Sequence, residues 1–211
     1  MGIKVEKATP EDAPALTRIG HHAFENDVFQ RKAIRFDGAN AAQTEEYWTW
    51  RIGRMRARLA KSDAHWHKAV DTDTGEIVGF TGIIEPNNAE IDEAFNAQHK
   101  DHLPEIVDGP LFAEHAAKMS TTKERLLGDR NDFWYVPAMS VHPRHQRRGV
   151  GQALLAANLV LTDAAGSDIY LEAMPAAVKL YQSAGFEVIG ALPAILDGLE
   201  HPVMLRRYKP T

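Results

Sequence analysis

Apolar and polar residues alternate along several short runs of this chain, which is the pattern of a half-buried β-strand. The run 3–8 comes first, and the runs 66–71 and 76–84 follow on either side of the turn-forming residues 72–75, which predicts a hairpin. Further strands are predicted at 132–141, 168–173, 186–190 and 201–207.

The predicted helices carry apolar residues three and four positions apart and have capping signals at their ends. Helices are predicted over 10–24, 44–63, 109–128, 149–166 and 175–185, and the segment 85–108 is predicted as loop and short helix. No repeat or linker-like segment interrupts the pattern, so we predict a single α/β domain spanning residues 1–211.

Composition narrows the class of protein. The 24 lysines and arginines are outnumbered by 29 acidic residues, so nothing attracts nucleic acid or anionic lipid to the chain as a whole, and any anion must be recognised locally. The absence of cysteine excludes disulfides, thiolate metal sites and a cysteine nucleophile. No apolar run is long enough to cross a bilayer and the N-terminus lacks the apolar core of a signal peptide, so we predict a cytoplasmic protein.

The segment HPRHQRRGVGQALL, residues 142–155, is locally basic within this acidic chain. Arg147 and Arg148 directly precede Gly149 and Gly151, which open the predicted helix 149–166. Amides in the first turn of a helix lack intrahelical partners, glycine permits close approach of a ligand, and arginine pairs with phosphate oxygens. We therefore predict a pyrophosphate site here, although its spacing matches neither the P-loop nor the dinucleotide fingerprint.

Two motifs resemble the GCN5-related N-acetyltransferase (GNAT) superfamily. The stretch 146–151, QRRGVG, matches Q/R-x-x-G-x-G/A, and the stretch 180–186, LYQSAGF, matches L-Y-x-x-x-G-F, so the likeness is best over residues 133–190. The resemblance implies a mixed sheet of about six to seven strands, antiparallel at its start and parallel where two strands splay, with helices on both faces. It also implies transfer of an acetyl group from acetyl-CoA to a primary amine of a small molecule or peptide.

The resemblance also assigns roles to residues. Tyr181 would be the general acid that protonates the departing thiolate. Pro137 suits a bulge in the splaying strand. Because Met174 replaces the asparagine of many members, the chain resembles a subset, including fungal and antibiotic-type enzymes, that has proline at the following position, here Pro175. The predicted contacts to the cofactor are completed by Met139, Ser140 and Val141 along the pantetheine arm and by Gln146, Arg147, Arg148, Gly149, Val150, Gly151 and Gln152 around the pyrophosphate.

A general base is also needed, because the attacking amine must lose a proton. Glu172, on the strand beside the cofactor strand, and Glu85, at the end of the hairpin, are the candidates. The alternative for each is an ordinary solvated or ion-paired carboxylate, which is the more common role of such a residue. With no cysteine to carry an acyl group, direct attack by the amine is favoured over an acyl-enzyme route.

Other patterns leave alternatives open. His65 and His67 share a strand face, but no third ligand has evident spacing, so no metal is predicted. The arginine-rich helix 44–63 offers a rival function, binding of nucleic acid or an acidic partner, and a noncatalytic acyl-CoA-binding module is a further alternative. We predict no nucleic acid or membrane partner and a monomer or homodimer. The acceptor pocket is expected from residues 20–60 and 85–130, where Asp92, Glu93 and Asp101 would suit a cationic amine.

Overall fold

Seven strands form one mixed sheet in the computed structural model, which describes residues 2–88, 103–194, 196, 198 and 200–210. The strand order is β1-β2-β3-β4-β5-β7-β6, and every neighbouring pair is antiparallel except β4 and β5. This confirms the predicted sheet. The strands are β1 (Ile3–Lys7), β2 (Ala64–Asp71), β3 (Ile77–Ile84), β4 (Trp134–Val141), β5 (Ile169–Glu172), β6 (Glu187–Leu192) and β7 (His201–Arg206).

Helices cover both faces of the sheet, as predicted. The described helices are α1 (Ala13–Ala23), α2 (Val28–Ala33), α3 (Ala41–Leu59), α4 (Gly109–Leu127), α5 (Val150–Ala165) and α6 (Val178–Ser183). Residues of α1, α3 and α4 share one buried cluster with Tyr135 and Tyr170, and residues of α5 and α6 share another with Trp134 and Leu171. We call the first face the acceptor face and the second the donor face. None of the described helices is both long and apolar enough to cross a membrane.

Helix α3 differs from its predicted bounds of 44–63 because of its cap. Asn40 accepts a hydrogen bond from the Gln43 amide at 3.0 Å, and the Gln43 side chain accepts one from the Asn40 amide at 2.9 Å. This reciprocal cap starts the helix at Ala41, three residues earlier than the apolar spacing indicates. The helix ends at Leu59, so residues 60–63 of the predicted span are not helical.

Helix α2 was absent from the sequence prediction. It contains only six residues, too few for apolar spacing to be evident, and Asp27 caps it by accepting a hydrogen bond from the Gln30 amide at 2.9 Å. Phe29 lies 5.3 Å from Phe112 and 4.6 Å from His115, ring centroid to ring centroid, so α2 packs against α4. Tertiary packing therefore stabilises a helix that is too short to be stable alone.

The hairpin of β2 and β3 depends on one small residue. Gly82 lies opposite Trp66, and a Cβ atom at position 82 would lie 2.7 Å from atoms of the Trp66 ring, which is only 3% exposed. We expect Gly82→Ala to lower the free energy of unfolding by about 2 kcal/mol, because the buried indole cannot move aside without loss of packing. Urea unfolding checks this value.

Gly53 in α3 provides the matched control. A Cβ atom there would meet nothing within 4 Å, so Gly53→Ala should raise the free energy of unfolding by about 1 kcal/mol through helix propensity alone. Equal urea midpoints for Gly82→Ala and the wild type would contradict the packing argument.

Candidate active site

Strands β4 and β5 separate after a short parallel contact. Only Trp134 with Ile169 and Tyr135 with Tyr170 are paired between them. Beyond this point β4 continues to Val141 on the β3 side, while β5 continues beside β7. The two strands thus leave a gap that opens toward their carboxyl ends.

A bulge in β4 lies at the start of this gap. Ile84 of β3 pairs with Tyr135, whereas Gly82 pairs with Ala138, so β4 has one extra residue in the interval that contains Pro137. Proline cannot donate to the sheet ladder, which explains the bulge that the sequence predicted. The bulge turns the rest of β4 away from β5.

Two buried polar side chains hold the bulge, and neither was predicted from the sequence. Thr81 and Asn158 are both fully buried. The Asn158 Nδ2 atom donates to Thr81 Oγ1 at 2.9 Å, and Thr81 Oγ1 lies 3.4 Å from the Ala138 carbonyl oxygen, to which it donates. A polar residue on the apolar helix 150–165 was the one available sequence signal for this contact.

The loop after β4 has the backbone geometry of an anion site. Gly149 caps α5 with φ of 82°, a left-handed conformation that favours glycine, and Arg147 also has positive φ of 61°. The first hydrogen bond of the helix joins the Ala153 amide to the Gly149 carbonyl at 3.0 Å. The amides of Val150, Gly151 and Gln152 therefore open the helix, where an anion is favoured.

The side chains of this loop divide into anchors and exposed groups. Val150 is buried and packs with Leu154, and the Gln146 Nε2 atom donates to the Val141 carbonyl at 3.1 Å. A Cβ atom on Gly151 would lie 3.2 Å from Leu180 Cδ2, so glycine lets α5 approach the segment before Tyr181. The remaining predicted pyrophosphate residues are exposed: Arg147, Arg148, Gly149 and Gln152.

Met139, Ser140 and Val141 form the last part of β4. They pair with Thr81, Phe80 and Gly79 of β3 on one edge, and their other edge faces the gap. Ser140 is 4% exposed, whereas Met139 and Val141 are partly exposed. The free edge of these three residues is therefore available to a ligand that lies in the gap.

Tyr181 lies on the donor face, in the first turns of α6. Pro175 opens the short 3-10 turn Pro175–Ala177 that leads into the helix. The Tyr181 side chain is 6% exposed and contacts the Phe186 ring edge-on, with ring centroids 5.5 Å apart. Burial raises the pKa of the Tyr181 phenol, so its hydroxyl keeps its proton at neutral pH.

Glu172 lies at the end of β5 and belongs to the opposite face. Side chains alternate along a strand, so Glu172 shares the acceptor face with Tyr170 while Leu171 points to the donor face. Burial raises the pKa of the Glu172 carboxyl to about 7, and hydrogen bonds from Tyr170 and Tyr135 oppose part of that rise. Its Oε1 atom is buried without a hydrogen-bond partner among the described residues. A carboxylate with this pKa can accept a proton at neutral pH.

Glu85 lies elsewhere in the sheet. It follows Ile84, which pairs with Tyr135 near the beginning of β4, whereas the gap opens toward the end of β4. Its Oε1 atom is 2.7 Å from Nε2 of His65, and the His65 ring contacts Trp134. The structure thus brings Glu172 to the gap and engages Glu85 in a hydrogen bond with His65.

The remaining sequence predictions concern a metal site, the arginines of α3 and three acidic residues of the acceptor pocket. Within the described part of the chain, no three His, Cys, Asp or Glu side chains are grouped so that they could hold a metal ion. On α3 the Arg54 guanidinium lies 5.1 Å from the centroid of the Trp50 ring. Burial lowers the pKa of Arg58, which lies near Tyr135. Asp92, Glu93 and Asp101 lie outside the described residues.

The amino-acid sequence matches a known family model over part of its length. Residues 115–188 match the model described as Acetyltransferase (GNAT) domain. This span includes β4, the loop that opens α5, Glu172 and Tyr181. No protein of curated function matches the chain significantly.

Solved structures share the fold over nearly the whole chain. An acetyltransferase from Corynebacterium glutamicum, described as histone acetyltransferase HPA2 and related acetyltransferase, is 22% identical with a TM-score of 0.65, covering 100% of this chain and 99% of its own. A mosquito arylalkylamine N-acetyltransferase like 5b is 13% identical with a TM-score of 0.63, covering 97% and 99%. The PaiA N-acetyltransferase of Thermoplasma acidophilum, solved with coenzyme A, is 13% identical with a TM-score of 0.56, covering 99% and 100%. At these identities the likeness establishes the fold.

Proposed function

We propose that the chain is a GCN5-related N-acetyltransferase, which the match of residues 115–188 and the shared fold support, and that it transfers the acetyl group of acetyl-CoA to a primary amine of a small molecule or peptide. One observation carries the proposal. At the gap between β4 and β5, Glu172 lies on the acceptor face and Tyr181 on the donor face. A proton acceptor and a proton donor on opposite sides of one opening suit a reaction in which an amine enters from one side and a thiol leaves from the other.

The residues of the loop fit the phosphates of coenzyme A. The left-handed Gly149 turn exposes the first amides of a 16-residue helix, and the exposed residues Arg147 and Arg148 directly precede that turn. Met139, Ser140 and Val141 would bind the pantetheine arm through the edge of β4 that faces the gap. Pro175 and Tyr181 would border the same arm from the donor face. When bound, acetyl-CoA supplies the acetyl group as an activated thioester.

Glu172 would act first, as the general base. The acceptor amine carries a proton that must leave as its nitrogen bonds to the acetyl carbon, and the Glu172 carboxylate would accept that proton directly or through a water molecule. Its pKa of about 7 leaves a substantial fraction ionised at neutral pH. Glu85 is the less favoured candidate, because His65 already engages it.

Tyr181 would complete the reaction as the general acid. When the bond between carbon and sulfur breaks, the sulfur leaves with the electron pair and the Tyr181 hydroxyl would donate a proton to it. The raised pKa of this buried phenol keeps that proton available. The chain has no cysteine to carry an acetyl group, which favours direct attack by the amine. The cytoplasmic location and the monomer or homodimer state stay predictions.

A thiol-release assay tests the proposed function. The protein is mixed with acetyl-CoA and a panel of primary amines, and free coenzyme A is measured together with the acetylated amine. Release that depends on both the protein and the amine would support acetyl transfer. Tight binding of acetyl-CoA with no amine-dependent release would instead favour a noncatalytic acyl-CoA-binding module.

The two exposed arginines of the loop give a separate prediction. We expect the double variant Arg147→Gln/Arg148→Gln to raise the Kd for coenzyme A about tenfold or more, since each guanidinium can make charge-assisted hydrogen bonds to phosphate. Calorimetric titration measures the change. A separate titration with pantetheine, which lacks the diphosphate, should give equal affinities for the variant and the wild type.

Arg207→Gln is the matched control for loss of an exposed arginine. Arg207 lies at the end of β7, where it pairs with Glu187 at 3.0 Å. This variant should bind coenzyme A as the wild type does. If Arg147→Gln/Arg148→Gln also kept wild-type affinity, the loop arginines would have no part in phosphate binding.

A further inference from the structure

A small pocket that includes His201 lies on the same face of the sheet as Glu172. Glu172 of β5 pairs with Val203 of β7, and His201 lies two residues before Val203, so alternation along the strand places all three on one face. The Ala173 amide donates to the Pro202 carbonyl at 2.8 Å, which keeps β7 beside the carboxyl end of β5. His201 therefore lies one step beyond Glu172, in the direction in which the gap opens.

The walls of this pocket come from four separate parts of the chain. Asp27 precedes α2 and Phe29 lies within it, His115 extends from α4, and His201 pairs with Leu192 where β6 and β7 meet. The Phe29 and His115 rings stack with centroids 4.6 Å apart and an interplanar angle of 28°. The free space between these walls is small, which suits a small group at the end of a chain rather than a whole large molecule.

Among the described residues that line the pocket, Asp27 is the one acidic side chain. Burial lowers the pKa of His115 to about 4 and also lowers that of His201, so both imidazoles are neutral. Asp27 uses Oδ1 to cap α2, and no lysine or arginine within the described residues forms an ion pair with it. The nearby Lys118 is engaged by Glu114 at 3.0 Å and by the Ala194 carbonyl at 3.0 Å.

We propose that this pocket binds a second, positively charged amino group of the acceptor, so that the substrate class is diamines and longer polyamines. This inference rests on the proposed function, because it places the reacting amine at Glu172 and the distal ammonium at Asp27. A carboxylate attracts an ammonium group, the face of the Phe29 ring stabilises it further, and neutral imidazoles can accept its hydrogen bonds. An acceptor with a distal carboxylate would meet the Asp27 charge and be disfavoured.

Three acceptors of equal chain length test the charge requirement. We expect kcat/KM to be at least about tenfold higher for 1,5-diaminopentane than for 1-aminopentane, and lowest for 5-aminopentanoate. Asp27→Asn should bring the ratio of diamine to monoamine close to one, mainly through a higher KM for the diamine. Asparagine caps a helix as well as aspartate does, so α2 should stay folded. Asp37→Asn, at an exposed position outside the pocket, should keep the wild-type ratio.

A binding measurement separates this inference from the proposed reaction. Calorimetric titration of 1,5-diaminopentane into the protein saturated with coenzyme A should show binding that Asp27→Asn weakens about tenfold. Binding that depends on Asp27 in a protein that acetylates nothing would support the pocket and overturn the transfer reaction. Acetylation of the monoamine and the diamine with equal kcat/KM would contradict ammonium binding by the pocket but not the proposed acetyl transfer. Absence of both binding and acetylation would overturn both.

Discussion

Replacing Tyr181 by phenylalanine is expected to lower kcat about a hundredfold and to leave the Kd for coenzyme A nearly unchanged. The hydroxyl is removed from a buried site where the ring contacts Phe186 and where phenylalanine fits the same space. Without the hydroxyl, the sulfur must leave as a thiolate or take its proton from water. Steady-state thiol release measures the loss, and calorimetry measures the affinity.

Tyr208→Phe is the matched control for the loss of a phenol. Tyr208 packs against Gly166 at the end of α5, away from the gap. We expect this variant to keep wild-type kcat. If Tyr181→Phe kept it as well, Tyr181 would have no part in the proton transfer and would be a packing residue of the donor face.

Glu172→Gln is expected to slow acetyl transfer about a hundredfold and to remove the acidic limb of the pH profile. In the wild type, kcat/KM should rise with pH through about 7 as the Glu172 carboxyl ionises, since only the carboxylate can accept the proton. Glutamine cannot accept it at any pH. The values of kcat/KM should be calculated from the concentration of the unprotonated amine at each pH, so that ionisation of the acceptor does not contribute to the profile.

Stability gives a second readout for the same variant. In the folded protein the pKa of Glu172 is raised from its ordinary 4.5 to about 7, so the folded state holds this proton more tightly than the unfolded chain does. The protonated carboxyl therefore stabilises the folded state most below about pH 4.5, and this contribution to the free energy of unfolding is lost as the pH rises through 7. At pH 8, Glu172→Gln should therefore be about 3 kcal/mol more stable relative to the wild type than it is at pH 4.

Glu187→Gln controls for the loss of a carboxylate. Glu187 is exposed and pairs with Arg207 at the edge of the sheet, so its replacement should change neither the pH profile of kcat/KM nor the pH dependence of urea unfolding. A Glu172→Gln variant with wild-type kcat/KM and an intact limb near pH 7 would rule out Glu172 as the base. Glu85→Gln would then be the next variant to measure.

Local signals account for the parts of the structure that the sequence predicted. Pro137 within a strand pattern indicates a bulge, and the register of β3 against β4 contains one there. Gly149 ahead of an apolar run predicts the start of a helix there, and α5 begins at Val150. In each case the signal lies in the backbone preference of one residue, so no knowledge of distant residues is needed.

Contacts between distant residues explain what the sequence could not predict. Thr81 and Asn158 are 77 positions apart and meet only when α5 packs on β3. Asp27, His115 and His201 come from three separate parts of the chain and form one pocket only in the folded protein. The raised pKa of Glu172 likewise depends on burial of its carboxyl in the folded protein, which composition and spacing do not reveal.

A calorimetric titration of the protein with coenzyme A tests most directly the claim that the Gly149 loop and the gap between β4 and β5 bind a thioester donor. We predict saturable binding of one coenzyme A per chain, with a Kd on the order of 10 μM, a usual range for an enzyme and its substrate. Absence of saturable heat from protein that unfolds cooperatively in urea would contradict the account.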